Sequence, residues 1–222
     1  MRPVIAIDGP AGAGKSTVAK ILAERLDLRY LDTGAMYRAV ALLATRHGLG
    51  PEDGEAAARL AAPSEISFGE GTPQRVFLNG EDVTAAIRTP DMGELASALS
   101  AHSPVRAIMA SRQQAMIAAG GVILEGRDTT TVVAPNATLK VFLTASLEER
   151  AHRRLEEFRE KGIDLSNEEL TRQIADRDHR DYTRQDSPLT KAEDAVLVES
   201  FGKTPEAVAE EIIAALKRVL GD

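Results

Sequence analysis

The chain has 222 residues, a hydrophobic fraction of 43% and a formal net charge of −7. This length and apolar content suit one compact α/β domain with small insertions, and the acidic total disfavours a protein that wraps duplex nucleic acid. The absence of cysteine excludes disulfides, thiolate nucleophiles and Cys-based metal sites. Because no apolar run approaches the ~20 residues of a membrane helix and no signal-peptide pattern opens the chain, we expect a cytoplasmic protein without membrane or nucleic-acid partners.

The first part of the chain alternates strand-like and helix-like segments. Its predicted order is strand, helix, strand, helix and helix, at residues 4–7, 16–26, 30–31, 34–47 and 52–60. The first strand is an uninterrupted apolar run, which is typical of a parallel strand buried on both faces. Thr33 is predicted as the N-cap of the helix at residues 34–47.

Residues 65–82 interrupt this order with an alternating pattern rich in turn residues. Glycine and proline recur there, and the pair Asn79-Gly80 is a strong signal for a tight hairpin turn. We therefore predict a small antiparallel hairpin or three-stranded sheet, inserted over roughly residues 63–90.

The remainder of the chain returns to strands and helices. Helices are predicted at residues 91–100, 104–118, 147–158, 167–181 and 205–220, and strands at residues 121–124, 139–143 and 195–198. Repeated strand-then-helix order favours a parallel sheet covered by helices on both faces.

Residues 9–16 read Gly-Pro-Ala-Gly-Ala-Gly-Lys-Ser and match the phosphate-loop pattern G-x-x-x-x-G-K-[ST]. The motif lies directly after a predicted strand and before a predicted helix, which is the context that it requires. Glycines allow backbone N–H groups to form an anion nest, and the helix directs its positive end at the phosphates. Lys15 would contact the β- and γ-phosphates, and the Ser16 hydroxyl would contact Mg²⁺.

The phosphate loop alone leaves a hydrolase, a switch or a transferase open. The guanine-reading N-K-x-D and the D-x-x-G of a GTP switch are absent. Glu125 ends a predicted strand, and Asp128 is close to it in sequence. These two acids could bind a metal or orient a water molecule in an ATPase as well as in a kinase. Arginines favour a phosphoryl transferase, because guanidinium groups hold phosphates in bidentate pairs. The candidates are Arg38, Arg106, Arg127, Arg177 and Arg184.

Several segments, in order and at this spacing, resemble those of the bacterial cytidylate kinases along essentially the whole chain. They are residues 8–17, the Tyr-Leu-Asp-Thr-Gly-Ala-Met-Tyr-Arg of residues 30–38, residues 79–84, the Glu-Gly-Arg-Asp of residues 125–128, and residues 131–133, 149–154 and 177–184. The resemblance implies a P-loop NTP hydrolase-like, adenylate-kinase-like fold in one domain. Its core would span about residues 1–60, 93–150 and 186–222, with a helical lid at about 155–185 that closes over ATP.

The resemblance also implies a reaction and a set of site residues. ATP would phosphorylate CMP or dCMP in pyrimidine nucleotide metabolism, with Mg²⁺ on Ser16. The implied ATP-binding residues are Gly9, Pro10, Ala11, Gly12, Ala13, Gly14, Lys15, Ser16, Thr17 and Arg154. The implied acceptor-binding residues are Thr33, Tyr37, Arg38, Ser97, Arg106, Arg127, Asp128, Arg177, Asp181 and Arg184. The implied catalytic residues are Lys15, Arg127, Arg177 and Arg184.

Within the resemblance, Ser97 and Arg106 match the positions that read the edge of cytosine. One departure is Thr130, which stands where the family commonly has glycine, and a β-branched residue disfavours positive φ. We expect the fold to accommodate it.

Two other readings remain open at this point. One is another small P-loop kinase, acting on a different nucleoside monophosphate, on shikimate or on a cofactor precursor. The other is a nucleotide-binding regulator that transfers no phosphate. We expect a monomer that uses ATP and CMP or dCMP.

Overall fold

In a computed structural model of the chain, the described residues are 2–71, 73–160, 162 and 166–221. Strands β1 to β8 lie at Val4–Asp8, Arg29–Asp32, Ile66–Gly69, Arg75–Leu78, Glu81–Asp82, Val122–Gly126, Leu139–Thr144 and Val196–Glu199. Helices α1 to α8 lie at Lys15–Leu26, Thr33–Arg46, Gly54–Ala61, Pro90–Leu99, Ser103–Ile117, Leu147–Glu160, Asn167–Thr183 and Pro205–Leu220. Residue 72 of the predicted insertion and residues 161 and 163–165 of the predicted lid lie outside the described residues.

The chain divides into two compact units, one of which combines Met1–Leu31 with Ile117–Asp222. Its sheet has the strand order β2-β6-β1-β7-β8, and β1 pairs in parallel with both β6 and β7. The central strand is fully buried at Ile5 and Ile7, as expected for a parallel strand that helices cover on both faces. Apolar side chains of α1 and α8 complete this core. The predicted parallel sheet is confirmed.

The other unit, Asp32–Met116, has its own apolar core and a three-stranded antiparallel sheet, β3-β4-β5. Asn79 and Gly80 connect β4 to β5 with φ values of 51° and 81°. Two consecutive residues with positive φ form the tight turn that matches the twist of a hairpin, which explains the Asn-Gly pair. The predicted small antiparallel sheet is confirmed.

The predicted N-cap of α2 is wrong: the N-cap is Asp32, and Thr33 is the first helical residue. The Asp32 carboxylate accepts a hydrogen bond from the Ala35 N–H at 2.8 Å. A carboxylate at this position also interacts favourably with the positive end of the helix dipole, so aspartate is preferred to the following threonine.

Helices α6 and α7 pack on each other through a small apolar cluster of Ala151, Leu155, Phe158, Leu170 and Ile174. The beginning of α7 is set by a capping box, in which Ser166 and Glu169 exchange hydrogen bonds with each other's backbone N–H groups. Within the described residues, no helix combines the length and the apolar character needed to cross a membrane.

Candidate active site

The loop at residues 9–14 joins the carboxyl end of β1 to α1. Gly12 and Gly14 have φ values of 77° and 88°, which only glycine adopts without strain. A Cβ atom at Gly9 would lie 1.9 Å from the backbone oxygen of Leu143, so a side chain there would clash with β7. Gly14 is the N-cap of α1 and provides no side-chain cap, which suits an anion at this helix end.

Lys15 folds back over the loop that precedes it. Its Nζ donates hydrogen bonds to the carbonyl oxygens of Gly9 and Pro10, both at 2.8 Å, and the residue is 5% exposed. Burial, together with the positive charges of Arg127 and Arg177, lowers the pKa of Lys15 to about 7, against the opposing effect of Glu125. A phosphate at this loop would add negative charge and favour the ammonium form.

Ser16 and Glu125 provide adjacent oxygen atoms beside the loop. The Ser16 hydroxyl donates a hydrogen bond of 2.6 Å to Glu125 Oε1, and the Tyr30 hydroxyl donates one of 3.2 Å to the same oxygen. Hydroxyl and carboxylate oxygens are ligands that Mg²⁺ accepts. The described residues contain no group of three or more His, Cys, Asp and Glu side chains that could hold a metal. The donor set therefore fits an ion shared with a bound phosphate, rather than one caged by protein alone.

Three of the predicted arginines surround the buried carboxylate of Asp181. Arg127 Nε donates a hydrogen bond of 2.8 Å to Asp181 Oδ2, and Arg184 Nη1 donates one of 3.3 Å to Oδ1. Burial opposes ionisation of this carboxyl, but the charges of Arg127, Arg177 and Arg184 hold its pKa below the usual value. Arg127 follows Gly126, which pairs with Asp8 just before the loop, and Asp178, next to Arg177, contacts Ala11 of the loop, so these two arginines lie close to the phosphate loop.

Asp8, at the end of β1, holds the segment that follows Arg127 and Asp128. Its carboxylate accepts hydrogen bonds from the backbone N–H groups of Thr129 and Thr130, at 2.9 and 2.7 Å, and from their hydroxyls, at 2.7 and 2.6 Å. Burial raises the pKa of Asp8, and the hydrogen bonds oppose that rise. Four donors thus fix the backbone on which Asp128 lies.

Thr130 has no positive φ, so the strain that threonine would meet in place of glycine does not arise. Residues Thr129–Val133 form a π-helical turn, and both Thr130 donors contact Asp8 within it. The fold therefore accommodates Thr130, as expected. Its hydroxyl adds a hydrogen bond to Asp8 that glycine could not make.

Thr130→Val is expected to lower the free energy of unfolding by about 2 kcal/mol, because it removes a buried hydrogen bond to a carboxylate. The measurement is urea unfolding followed by circular dichroism. Thr131→Val is the matched control: its hydroxyl lies 3.4 Å from the Asp128 carbonyl and the residue is exposed, so its effect should stay below about 0.5 kcal/mol. Equal effects of the two substitutions would show that the Asp8 contact stabilises nothing.

In the unit Asp32–Met116, three of the predicted acceptor-binding residues lie together. The Arg106 guanidinium is 5.8 Å from the centroid of the Tyr37 ring, within cation–π range, and its Nη1 donates to the carbonyl oxygen of Ser100 at 2.9 Å. The Ser100 hydroxyl donates to the carbonyl oxygen of Ser97 at 2.8 Å. These contacts link Tyr37 of α2 to Arg106 of α5, and link Arg106 through Ser100 to the backbone of Ser97 in α4.

The remaining two predicted residues of this unit lie at the beginning of α2. Thr33 is buried there, and Arg38 Nη2 donates a hydrogen bond of 2.9 Å to Asp32 Oδ2. Asp32 therefore orients Arg38 while its other oxygen caps the helix.

The side-chain contacts of Arg154 lie within α6: its guanidinium pairs with Glu157 at 2.8 Å and stacks 4.5 Å from the centroid of the Phe158 ring. Its neighbour Arg153 borders the loop instead. The Arg153 Nη1 is 3.8 Å from the position of a Cβ on Gly14, and it donates to Ser200 Oγ at 2.9 Å. Sequence reasoning missed Arg153, because both arginines belong to one charged run.

Sequence reasoning also missed Arg150 and Asp178, which contact the loop at Ala11. Arg150 is one of several arginines on a charged helix, and nothing in the local pattern separates it from surface residues. Sequence reasoning assigned no role to Asp8 either, although its position carries a signal. An acidic side chain at the end of a buried apolar strand has to find hydrogen-bond donors.

Comparisons with known proteins identify the family of this chain. A sequence model of the family described as cytidylate kinase matches residues 5–218. A cytidylate kinase of Listeria welshimeri is 48% identical over 210 residues, covering 95% of this chain and 94% of that protein. One of Carboxydothermus hydrogenoformans is 49% identical over 218 residues, covering 98% and 96%. A gluconokinase structure from Sinorhizobium meliloti has a TM-score of 0.51 at 16% identity, over 99% of this chain and 95% of that one, and shows a shared fold alone.

Proposed function

The chain belongs to the cytidylate kinase family, and we propose that it transfers the γ-phosphoryl group of ATP to CMP or dCMP, giving ADP and CDP or dCDP. The observation that carries the proposal is a phosphate loop with Lys15 folded over it, together with Arg127 and Arg184 held on the carboxylate of Asp181. A phosphoryl transferase has to neutralise a highly charged transferring group, and this cluster supplies the positive charge.

In this proposal the loop holds the phosphates of ATP. Backbone N–H groups of residues 12–16 and the beginning of α1 would bind the β-phosphate, and Lys15 would exchange its two loop carbonyls for phosphate oxygens. Ser16 and Glu125 would hold Mg²⁺, which supplies further neutralisation of the β- and γ-phosphates.

The acceptor nucleotide would bind through the residues of α2, α4 and α5. Arg38 and Thr33 would contact its phosphate, while Ser97 and Arg106 would read the base. Cytosine presents acceptors at O2 and N3 beside an N4 amino donor, and Arg106 offers donors for the former. The Tyr37 ring lies 5.8 Å from the Arg106 guanidinium and would stabilise it by a cation–π contact.

The chemistry needs no covalent intermediate and no strong base. The phosphate oxygen of CMP is already an anionic nucleophile, so catalysis consists of holding two nucleotides in line and stabilising the charge that develops. Arg127 and Arg184 are suited to the second task, because Asp181 orients both guanidinium groups before substrate arrives. We also propose a monomer as the working form, in the cytoplasm.

The test of this function is a panel of acceptors with Mg-ATP, read by the identity of the phosphorylated product. CMP, dCMP, UMP, AMP and shikimate should be compared at equal concentration. We expect CDP and dCDP as the main products. Efficient phosphorylation of another acceptor, with CMP inert, would favour a different small kinase; tight ATP binding with no phosphorylated product would favour a regulator.

Arg106→Ala is expected to raise the KM for CMP by roughly 10- to 100-fold, because charge-assisted hydrogen bonds contribute about 1.5–3 kcal/mol. The KM for ATP should change by less than about threefold, since Arg106 makes no assigned contact to ATP. Steady-state kinetics with each substrate varied in turn measures both values. Arg59→Ala, at an exposed position of the same unit, is the control. Equal losses for the two substrates would reject base reading by Arg106.

A further inference from the structure

We infer that Arg150 and Asp178 form a brace that fixes helix α7 to the phosphate loop, and that this brace positions the arginines of α7 for transfer. The two residues would not touch substrate; they would act through the loop and through α7. The inference rests on the proposed function, because it assigns the brace to the same phosphoryl transfer.

The brace is built on a single loop residue, Ala11. Asp178 Oδ1 accepts a hydrogen bond from the Ala11 N–H at 3.3 Å, and Arg150 Nη1 donates one to the Ala11 carbonyl oxygen at 2.9 Å. Arg150 Nη1 also donates to Asp178 Oδ2 at 2.6 Å, which closes the triangle. Arg150 is held at its other end, where Nε donates to the carbonyl oxygen of Ala145 at 3.1 Å.

Burial makes this arrangement costly to break. Arg150 is 6% exposed and Asp178 is 8% exposed, so removal of either partner would leave a buried charge without its counter-ion. The loop also packs tightly on α6, because a Cβ at Gly12 would lie 3.1 Å from the Cβ and from the backbone oxygen of Arg150. Gly12 therefore permits the close approach that the brace needs.

The brace contacts the loop at its third residue and leaves the amides nearer α1 for phosphate. Asp178 follows Arg177 directly on α7 and lies one helical turn before Asp181. Since a helix is rigid over one turn, fixing Asp178 on the loop also fixes Arg177 and the carboxylate of Asp181. Asp181 in turn orients Arg127. The contact between Asp178 and Ala11 therefore sets the distance between the phosphate loop and the arginines around Asp181.

The experiment compares Asp178→Asn and Arg150→Lys with the parent protein. We expect kcat to fall on the order of 10²-fold in each variant, because a shift of about 1 Å in a catalytic group has that effect. The KM for ATP should change by less than about threefold, since the phosphate-binding amides are retained. Asp176→Asn, exposed on the same helix, and Arg159→Met, exposed on α6, are controls that should change kcat by less than about twofold.

Hydrogen exchange with ADP provides a readout that does not depend on turnover. In the parent, ADP should slow amide exchange in the loop and in residues 170–183 of α7; in Asp178→Asn, protection of the loop should remain and that of α7 should be lost. Unchanged kcat and unchanged protection of α7 in both variants would overturn the brace. If the parent protein makes no CDP, but Asp178→Asn still abolishes the ADP-dependent protection of α7, the proposed function is contradicted and the brace is supported. If Asp178→Asn does not fold, Arg150→Lys, which keeps the charge, decides the question alone.

Discussion

Lys15→Met is expected to lower kcat on the order of 10³-fold, the effect typical of removing a preorganised charge from a transition state. The reason lies in its position, since Nζ is held 2.8 Å from two carbonyl oxygens of the phosphate loop, where the proposed function places the phosphates of ATP. Rapid-quench measurement of CDP formation with saturating Mg-ATP and CMP isolates the transfer step from product release.

The same variant should remain folded, because Lys15 is a buried cation whose pKa has fallen to about 7. Methionine keeps the length of the side chain and removes the charge that burial disfavours, and this gain offsets the loss of the two hydrogen bonds to the loop carbonyls, so we expect little change in the melting temperature. Lys217→Met, at an exposed position of α8, is the matched control and should leave kcat within about twofold. Normal turnover by a folded Lys15→Met protein would exclude the phosphate loop as the site of transfer.

Arg127→Met is expected to lower kcat/KM on the order of 10³-fold, within the range seen when an arginine is removed from a phosphoryl-transfer site. Asp181 holds the Arg127 guanidinium by a hydrogen bond of 2.8 Å, which would orient it for the proposed role. Its removal leaves Asp181 with Arg184, so the carboxylate keeps a counter-ion and the fold should survive. Steady-state kinetics with CMP and ATP varied in turn measures the loss.

Arg127→Lys separates charge from geometry at this position. Lysine keeps the positive charge but cannot present a planar fork, so it should recover only part of the lost activity. Arg172→Met, exposed on α7, should behave like the parent. A kcat/KM within tenfold of the parent in Arg127→Met would remove Arg127 from the list of catalytic residues.

The architecture was predictable where local patterns carry the information. The apolar run at residues 4–7 became the central strand, and the Asn79-Gly80 pair became the turn between β4 and β5. Such features are set by residues that are adjacent in sequence. The spacing of apolar residues predicts a strand, and a pair of residues that tolerates positive φ predicts a tight turn. The misassigned cap of α2 shows the limit, because Asp32 and Thr33 are both good capping residues and only the backbone geometry separates them.

The candidate site was predictable only in part, because its supporting contacts join distant residues. Ala11 and Asp178 are 167 positions apart, and Asp8 and Thr129 are 121 positions apart. No periodicity in a single sequence links such positions, since each residue type also occurs on solvated surfaces. The phosphate loop was found because its motif is contiguous, whereas the roles implied for Ser97 and Arg106 came from resemblance and stay predictions.

The position of β1 at the centre of its sheet also bears on how the chain folds during synthesis. The ribosome makes this strand well before its neighbours β6 and β7 and before the Thr129 donor to Asp8, all of which follow residue 121. Meanwhile the segment Asp32–Met116, with its separate apolar core, has already left the exit tunnel. We therefore expect the segment Asp32–Met116 to become compact first, while β1 stays unpaired until β6 has emerged.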